Sequence, residues 1–194
     1  MRAAWVGLVL LCAPGVTQAQ PLETARWAVP TLHTVGLLGA QRVGAMLLWR
    51  RAFSLEDGAR NRRFFTQALT QPPRFDARRS LFEWDGDRWE INAIGHGLMG
   101  SEVYLRFRQC GHDGWTSLAA TAVASTVWEY GVEVWNSRPS ANDLLWTPLG
   151  GALLGELRLL LWRSAGALPA VPRGLLRVLA DPFGSLERAA GSPC

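Results

Sequence analysis

Three helix-length stretches in the second half of the chain place ionisable side chains among residues that otherwise indicate burial. They run Trp89–Arg108, Trp115–Trp135 and Ala141–Trp162, and short turns at 111–114 and 136–140 separate them. Leaving an ionised group desolvated costs roughly several kcal/mol unless the group pairs with another one or binds a ligand. The pattern therefore predicts an all-α protein with a polar site inside it.

The hydrophobic periodicity extends this prediction to a bundle of four to five helices. Two earlier helices are predicted at Thr31–Trp49 and Gly58–Thr70, and a polar, turn-rich connector over 74–88 leads to the three later ones. Connections this short favour antiparallel neighbours. After Gly166 the chain becomes rich in proline, which predicts an irregular C-terminal tail with at most a short helix near 174–179.

The first nineteen residues are predicted to be a signal peptide. Arg2 precedes an apolar run from Ala3 to Pro14, and small residues around Ala19 fit a cleavage site. An uncleaved membrane anchor is the alternative, but the run is shorter than the roughly 20 residues that a spanning helix needs. Residues 20–194 are then one exported domain, long enough for one core and too short to expect two.

The exported chain would contain two cysteines, Cys110 and Cys194. In an oxidising compartment these two residues could form a disulfide. The position of Cys194 at the chain terminus favours the alternative, in which both thiols are unpaired.

Two features of the composition predict contact with a membrane surface. All twenty basic residues are arginine, and eight of them lie between Arg50 and Arg79 against three acids. Arginine binds phosphate with two parallel hydrogen bonds, so the segment could contact lipid phosphates or anionic sugars, although a solvated polar helix is the alternative. Nucleic acid is not expected as a partner of an exported protein.

Nine tryptophans remain after removal of residues 1–19, an excess typical of proteins at a lipid headgroup boundary. No predicted helix of residues 20–194 contains eighteen apolar residues without a charge. We therefore expect the chain to lie on a membrane face rather than to cross it. Within the first helix Gly36, Ala40 and Gly44 are four residues apart, which predicts a face that packs closely on a neighbouring helix.

The stretch 115–135 carries polar residues at every fourth position. Positions four apart lie along one side of a helix, so they form a stripe that faces either a polar interior or solvent. Glu129 lies between Trp128 and Tyr130, which favours the interior for its carboxylate. The stripe consists of Ser117, Thr121, Ser125, Glu129 and Glu133.

His96 lies between Gly95 and Gly97 on the preceding helix, where the missing side chains let a partner helix or a ligand come close. A carboxylate facing the imidazole would fix its tautomer and raise its basicity, as a general base or a metal ligand requires. Glu129 and Glu133 on the next helix are the candidates for that carboxylate. The alternative is a hydrogen-bonded structural histidine.

The last long helix opens with Arg138-Pro139-Ser140, followed by Asp143. Ser140 is a predicted N-cap, and Asp143 lies in the first helical turn, where an acid is favoured. That local role explains both residues. Asp143 also begins a series with Thr147 and Gly151 at four-residue intervals, so its carboxyl group could point along a close-packed seam toward His96.

These residues predict one ligand-binding site, and His96 and Glu129 are its hypothetical catalytic pair. No cofactor or metal is predicted, because the Glu-x-x-His pairs of di-iron bundles are absent from the sequence. A single divalent ion held by the histidine and the acids stays open as an alternative. The predicted site residues are His96, Glu129, Glu133, Arg138, Ser140 and Asp143.

Several separated motifs, in order, resemble a bacterial cell-envelope family known only as a domain of unknown function. The resemblance spans residues 82–186 and implies an envelope location, in the periplasm or at the outer membrane with an outer-membrane protein as a possible partner, and no established activity. More distantly, the order of the motifs resembles the VanZ-like group of small helical membrane proteins. The motifs are Asp85-Gly86-Asp87 with Trp89 and Asn92, Gly95-His96, Trp128-Glu129-Tyr130 with Glu133, Arg138-Pro139-Ser140 with Asp143, Thr147-Pro148, Gly151–Glu156 and Asp181-Pro182.

Three functions fit these patterns. The first is an exported bundle bound to a membrane surface, whose polar pocket binds an envelope lipid or glycan headgroup. The second is a hydrolase or transferase acting on envelope lipids, with His96 as general base and Arg138 countering phosphate charge. The third is a structural, partner-binding bundle in which the acids are internal caps and ion pairs.

Overall fold

The computed structural model describes residues 22–80, 82–192 and 194, so the predicted signal peptide lies outside the described residues. The described residues form an all-α bundle without β-strands, as predicted. The α-helices are α1 (Leu22–Leu48), α2 (Gly58–Thr70), α3 (Gly97–Gln109), α4 (Gly114–Val127), α5 (Ala141–Ser164), α6 (Ala170–Ala180) and α7 (Pro182–Ala189). The π-helical segment Glu90–His96 leads directly into α3, and a second π-helical segment, Trp128–Val132, directly follows α4. A 3-10 turn, Ala165–Ala167, follows α5.

Acidic or hydroxyl side chains cap the N-termini of four helices. Asp57 accepts a hydrogen bond from the amide of Arg60 at the start of α2, and Asp113 accepts one from Thr116 at the start of α4. Ser140 and Asp181 do the same for α5 and α7. Each cap satisfies an N–H group that has no partner within its own helix, so the local sequence fixes where these helices begin.

The centre of the bundle consists of α3, α4 and α5. Val103 and Phe107 of α3 pack on Ala124 of α4. Because each of the two short turns reverses the chain, α3 and α5 run parallel to each other, and both contact α4.

Glycine makes α3 and α5 pack backbone to backbone. A Cβ atom on Gly100 would collide with the carbonyl oxygen of Thr147, and one on Gly151 would collide with the backbone of Gly100. A Cβ atom on Gly155 would overlap the ring of Tyr104. The close seam predicted from the spacing of these small residues is therefore present. It brings the beginning of α5 against the beginning of α3.

The polar stripe on α4 faces inward. Thr121 is fully buried and Ser125 is 1% exposed. The hydroxyl of Ser125 donates to the backbone carbonyl of Asp143 on α5, and that of Thr121 donates to the carbonyl of Ser117 one turn earlier. The interior of the bundle is thus lined by hydroxyl, amide and carboxyl groups as well as by apolar side chains.

The outer side of α5 is apolar. Six of its leucines are exposed, with exposures between 41% for Leu161 and 73% for Leu153. Of the described residues, the stretch Ala141–Ala167 alone has the length and hydropathy that a bilayer-crossing helix needs, and one third of its most apolar window is buried in the bundle. We call this surface the leucine face: Leu145, Leu149, Leu153, Leu157, Leu160 and Leu161.

α1 packs against α3 along only part of its length. The predicted close packing at Gly36 and Gly44 is wrong, because nothing lies within 4 Å of a Cβ atom built on either glycine. Gly36 and Ala40 instead line an open groove of about 860 Å³ together with Phe183 and Glu187 of α7. Small residues permit a close approach, but here no helix of the described chain occupies that position.

The C-terminal region differs from the irregular tail that the sequence predicted. It folds as α6 and α7, with Pro182 in the first turn of α7 and Asp181 as its cap. Cys110 and Cys194 form a disulfide, so the expectation of two unpaired thiols is also wrong. The reason is tertiary: α7 folds back beside the end of α3 and brings the terminal cysteine to Cys110.

A network of opposite charges lies between α1, α3, α5 and α7. Arg158 pairs with Glu102 at 2.5 Å and donates to the hydroxyl of Ser101 at 2.7 Å. Arg188 pairs with Asp181 at 2.7 Å. Arg106 and His33 both contact Glu187. We call these residues the paired cluster: His33, Glu102, Arg106, Arg158, Asp181, Glu187 and Arg188.

Glu156 forms no ion pair with Arg158 or Arg163, the arginines near it on α5. Its carboxylate accepts hydrogen bonds from Tyr104 at 2.8 Å and from Arg108 at 2.6 Å. Both partners lie on α3, which the parallel packing brings beside Glu156. Arg158 is thereby free to pair with Glu102.

Candidate functional site

Both π-helical segments carry residues of the candidate site. The first ends at His96, and the second contains Glu129. A π-turn inserts one extra residue into a helix and shifts the side chains around the axis, and such turns are common at functional sites. Here His96 is 9% exposed and Glu129 is 2% exposed, so both polar groups are turned into the bundle.

Five of the site residues meet at the beginning of α5. The Nε2 atom of His96 lies 3.5 Å from Oδ2 of Asp143. One ligand atom each from His96, Glu129 and Asp143 lies within 4.8 Å of the other two. We call this group the acid cluster: Asp85, His96, Glu129, Glu133 and Asp143. Three helices and the connector therefore bring their polar side chains together, as the sequence predicted for His96, Glu129 and Asp143.

Ser140 links three members of the acid cluster. Its hydroxyl accepts from the amide of Asp143 at 3.2 Å, as the predicted N-cap, and donates to Oδ2 of Asp85 at 2.6 Å. Its backbone N–H donates to Oε2 of Glu129 at 2.8 Å. Ser140 thus fixes the carboxyl groups of Asp85 and Glu129 and the backbone of Asp143.

Asp85 is the most strongly hydrogen-bonded acid of the cluster. Burial by itself raises the pKa of Asp85, but hydrogen bonds from Ser140, the Asp87 amide and Asn92, with the charge of Arg74, lower that pKa below its usual value. The side-chain amide of Asn92 donates to Asp85 at 2.8 Å. Asp85 is therefore ionised at neutral pH.

The other acids have raised pKa values because burial disfavours their charged forms. Burial and the neighbouring carboxylates raise the pKa of Glu129, and burial raises that of Glu133. For Asp143, burial and the charge of Asp85 raise the pKa to about 8. Burial also lowers the pKa of His96. The contact between His96 and Asp143 is therefore between two neutral groups at pH 7 and is not an ion pair.

Two further contacts set the positions of Glu133 and His96. The indole N–H of Trp128 donates to Oε2 of Glu133 at 2.6 Å. Nδ1 of His96 lies 3.1 Å from the hydroxyl of Thr147, which is fully buried. The second contact fixes the plane of the imidazole ring and leaves Nε2 toward Asp143.

Arg138 does not join the acid cluster, which corrects its predicted place in the site. Its guanidinium donates to the side chain of Gln71 at 2.5 Å. Arg74 lies nearer the acids: it pairs with Asp87 at 3.0 Å and donates to the backbone carbonyls of Asp85 and Arg138. The Arg-Pro-Ser motif positions its serine inside, while the arginine points to the opposite side of the turn.

Sequence reasoning missed Asp85, Asn92 and Thr147 as members of the site. Their types gave no sign of it, since Asp85 lies in a turn-rich connector and Thr147 is a common helix residue. All three belong to the motifs of the family resemblance, however. Treating every polar residue of those motifs as a site candidate would have found them.

A family model described as "Domain of unknown function (DUF3943)" matches residues 81–182. The match covers more than half of the chain and includes every member of the acid cluster. The chain belongs to this family. Within the DUF3943 region lie α3, α4, α5 and α6, and three members of the paired cluster, His33 of α1 and Glu187 and Arg188 of α7, fall outside it. Searches of curated proteins and of solved structures find no match. The likeness to VanZ-like proteins stays a prediction.

Proposed function

We propose that this DUF3943 protein is an envelope protein that lies on a lipid bilayer, with the leucine face of α5 as its contact. The proposal rests on the distribution of polar and apolar residues on α5, which is the reverse of that expected for a helix facing water. Asp143 and Thr147 of α5 are buried, whereas Leu149 and Leu153 of the same helix are 58% and 73% exposed. Water favours the opposite arrangement, and a bilayer surface favours this one.

The leucine face is large enough for stable binding. Full burial of a leucine side chain contributes about 1.5 to 3 kcal/mol. Six leucines contribute to the face. Transfer of their exposed surface into the lipid boundary would contribute about 5 to 10 kcal/mol and offset the loss of translational freedom on binding, which costs at least about 4 kcal/mol.

α6 has the character of an interfacial helix and carries an exposed apolar face of its own. Val171, Leu175 and Leu179 are exposed by 63% or more. Arg177 is partly buried and lies over the ring of Trp162, 4.6 Å from its centroid. Apolar side chains on one face with arginine and tryptophan beside them are typical of helices that lie in the headgroup region.

Export is part of the proposal. The predicted signal peptide at residues 1–19 supports it, and the disulfide between Cys110 and Cys194 fits an oxidising compartment. The apolar surface adds a reason for an envelope location, because the protein would meet a bilayer there. Periplasm and outer membrane are the two locations that fit.

The acid cluster is not the lipid contact in this proposal. Glu129 and Asp143 are 2% and 3% exposed, so their carboxyl groups are out of reach of a headgroup phosphate. The prediction that His96 and its neighbours bind a lipid or glycan headgroup therefore stays a prediction. So does the alternative of an envelope-lipid hydrolase with His96 as general base.

Co-sedimentation with liposomes tests the proposal. The purified chain should bind vesicles of zwitterionic phospholipid, and an added anionic phospholipid should strengthen binding through arginine. Leu149→Glu combined with Leu153→Glu should weaken binding at least about tenfold, because two charges then enter the lipid boundary. The matched control is Leu69→Glu on α2, which replaces a leucine that is 70% exposed but lies outside the leucine face.

Equal binding of the double variant and the Leu69→Glu control would contradict the proposal. Light scattering provides a second readout. If the chain ignores vesicles and forms a dimer that the double variant abolishes, the leucine face contacts a second copy instead. If it ignores vesicles and stays monomeric, lipid is not the partner of this face.

A further inference from the structure

We propose that the acid cluster is a divalent-metal site with His96, Glu129 and Asp143 as its protein ligands. One nitrogen of the imidazole and one oxygen of each carboxylate lie within 4.8 Å of one another. Ligands about 2.0 to 2.2 Å from a common ion are about 3 to 4 Å apart, so small side-chain adjustments complete the site. The proposal does not depend on membrane binding.

Glu129 gives an independent sign of a ligand. Its Oε2 accepts from the amide of Ser140, whereas the buried Oε1 has no hydrogen-bond partner among the described residues. A buried carboxylate oxygen left in this state costs about 1 to 3 kcal/mol or more. A metal ion bound to Oε1 would remove that cost.

The imidazole of His96 is oriented as metal ligands usually are. Nδ1 lies 3.1 Å from the Thr147 hydroxyl, so the tautomer that donates there leaves a lone pair on Nε2. That lone pair points toward Asp143, whose Oδ2 is 3.5 Å away. Thr147 is a positioning residue in this arrangement, because it holds the ring without touching the metal.

The carboxylate ligands are held by neighbouring groups as well. The Ser140 amide fixes Glu129, and the side-chain amide of Asn142 donates to Oδ1 of Asp143 at 3.3 Å. Such outer contacts orient the first set of ligands and are usual around protein-bound metals. Each ligand of the proposed site thus has one group that holds it and one atom that faces inward.

The charge balance also points to a cation. The cluster contains four carboxyl groups. Arg74 donates to the backbone carbonyl of Asp85, but its ion pair is with Asp87, which lies outside the cluster. In the described chain no arginine forms an ion pair with Glu129, Glu133 or Asp143. A divalent ion would supply the two positive charges that the protein itself does not place there.

The ligand types select the class of metal. One imidazole with two carboxylates suits Zn²⁺, Mn²⁺ or Fe²⁺, whereas Ca²⁺ and Mg²⁺ prefer oxygen ligands alone. We therefore expect Zn²⁺ and Mn²⁺ to bind more tightly than Mg²⁺ or Ca²⁺. Glu133, held by Trp128, remains close to the site as a further acid that strengthens its negative potential.

Metal titration tests the site directly. Chain treated with a chelator and dialysed against Zn²⁺ or Mn²⁺ should retain about one equivalent, measured by elemental analysis. Glu129→Gln and Asp143→Asn should each weaken binding by about 100-fold or more, and Thr147→Val, which keeps the shape of the side chain, by about tenfold. Glu156→Gln on the same helix should bind like the wild type, because Glu156 contacts Tyr104 and Arg108 instead.

Melting temperatures with and without metal separate a metal site from a structural network. With chelator present, the two amide variants should melt at or above the wild-type temperature, because an amide stays uncharged inside the bundle at every pH. With Zn²⁺ or Mn²⁺ present, the wild type should gain stability and the two variants should not. The proposal is overturned if the wild type retains no metal, or if Glu156→Gln loses as much binding as Asp143→Asn.

Discussion

The α3–α5 pair holds two buried polar clusters that solve the problem of buried charge in different ways. In the paired cluster Arg158 lies 2.5 Å from Glu102, and Arg188 lies 2.7 Å from Asp181. In the acid cluster Glu129 and Asp143 have no arginine partner among the described residues, and their pKa values are raised. The carboxylates of the first cluster are balanced by arginines of the same cluster, whereas those of the second are balanced only by protons or by a cation.

This difference separates a structural role from a functional one. Buried charges that satisfy one another hold helices together and need no ligand. Carboxyl groups that stay uncompensated lower stability, so their presence inside a bundle is best explained by something that they bind. Burial by itself does not distinguish the clusters, since Glu102 and Glu129 are 5% and 2% exposed.

The largest effect is expected in the paired cluster. Arg158→Met should lower the free energy of unfolding by about 3 to 5 kcal/mol, because it leaves Glu102 buried without its partner. Urea denaturation at pH 7 measures the change. A decrease in the free energy of unfolding of less than about 1 kcal/mol would mean that the ion pair between Arg158 and Glu102 contributes little to stability.

The disulfide should have the next largest effect, and that effect should be confined to the paired cluster. It closes a loop with a sequence separation of 84 residues. Replacing both cysteines by serine should cost about 2 to 4 kcal/mol. Arg188 donates to the backbone carbonyl of Cys194, so hydrogen exchange should accelerate in α7. Equal acceleration around Glu129 would show that the two clusters are not independent.

The acid cluster should make the metal-free protein less stable as pH rises. Burial raises the pKa of Asp143 to about 8, whereas an aspartate in the unfolded chain titrates near 4. The folded state therefore binds the extra proton, and the resulting stability is present below about pH 4 and lost as pH rises through about 8. We expect a loss of about 2 to 4 kcal/mol between pH 5 and 8 in chelator, since each pH unit in this window contributes up to about 1.4 kcal/mol.

Thermal melts of Asp143→Asn provide the control for that pH dependence. The amide cannot ionise, so its stability should change less between pH 5 and 8 than that of the wild type. Added Zn²⁺ or Mn²⁺ should also flatten the wild-type curve. A wild-type protein that gains stability as pH rises, in chelator, would contradict the raised pKa.

The smallest effect is expected for the ion pair at the edge of the seam. The carboxylate of Glu156 is 40% exposed and pairs with Arg108. Glu156→Gln should change the free energy of unfolding by less than about 1 kcal/mol, because solvent screens an exposed pair. Urea denaturation of Glu156→Gln and Arg158→Met under the same conditions compares their losses of unfolding free energy. Equal losses would show that the two ion pairs of α5 are equivalent.

Much of the helical framework could be predicted from the sequence. The bounds of α2 were predicted correctly, because Asp57 caps one end and two prolines follow the other. The polar stripe of α4 and the glycine seam between α3 and α5 followed from four-residue spacing, whereas the inward direction of the Ser and Thr positions was left open. These features depend on neighbours close in sequence or on one repeated interval, so periodicity reveals them.

Partner choice could not be predicted in the same way. Arg138 was expected beside the acids and instead binds Gln71, while Glu156 binds residues of α3 rather than nearby arginines. Both outcomes depend on which side of a turn or helix faces which neighbour. Only a short helix near 174–179 was predicted, which lies within α6, and α7 was missed because Pro182 indicated a break. Pro182 instead lies in the first turn of α7, where proline is tolerated.

By itself the sequence determined an all-α chain with charged groups inside its helices, because helical periodicity and capping are local properties. It also determined that His96, Glu129 and Asp143 would lie near one another, since short turns force their helices to pack side by side. Only the tertiary structure decided which buried charges have partners. That outcome depends on distances of a few ångströms between side chains far apart in sequence: it gave Glu102 an arginine and left the second oxygen of Glu129 without a hydrogen bond.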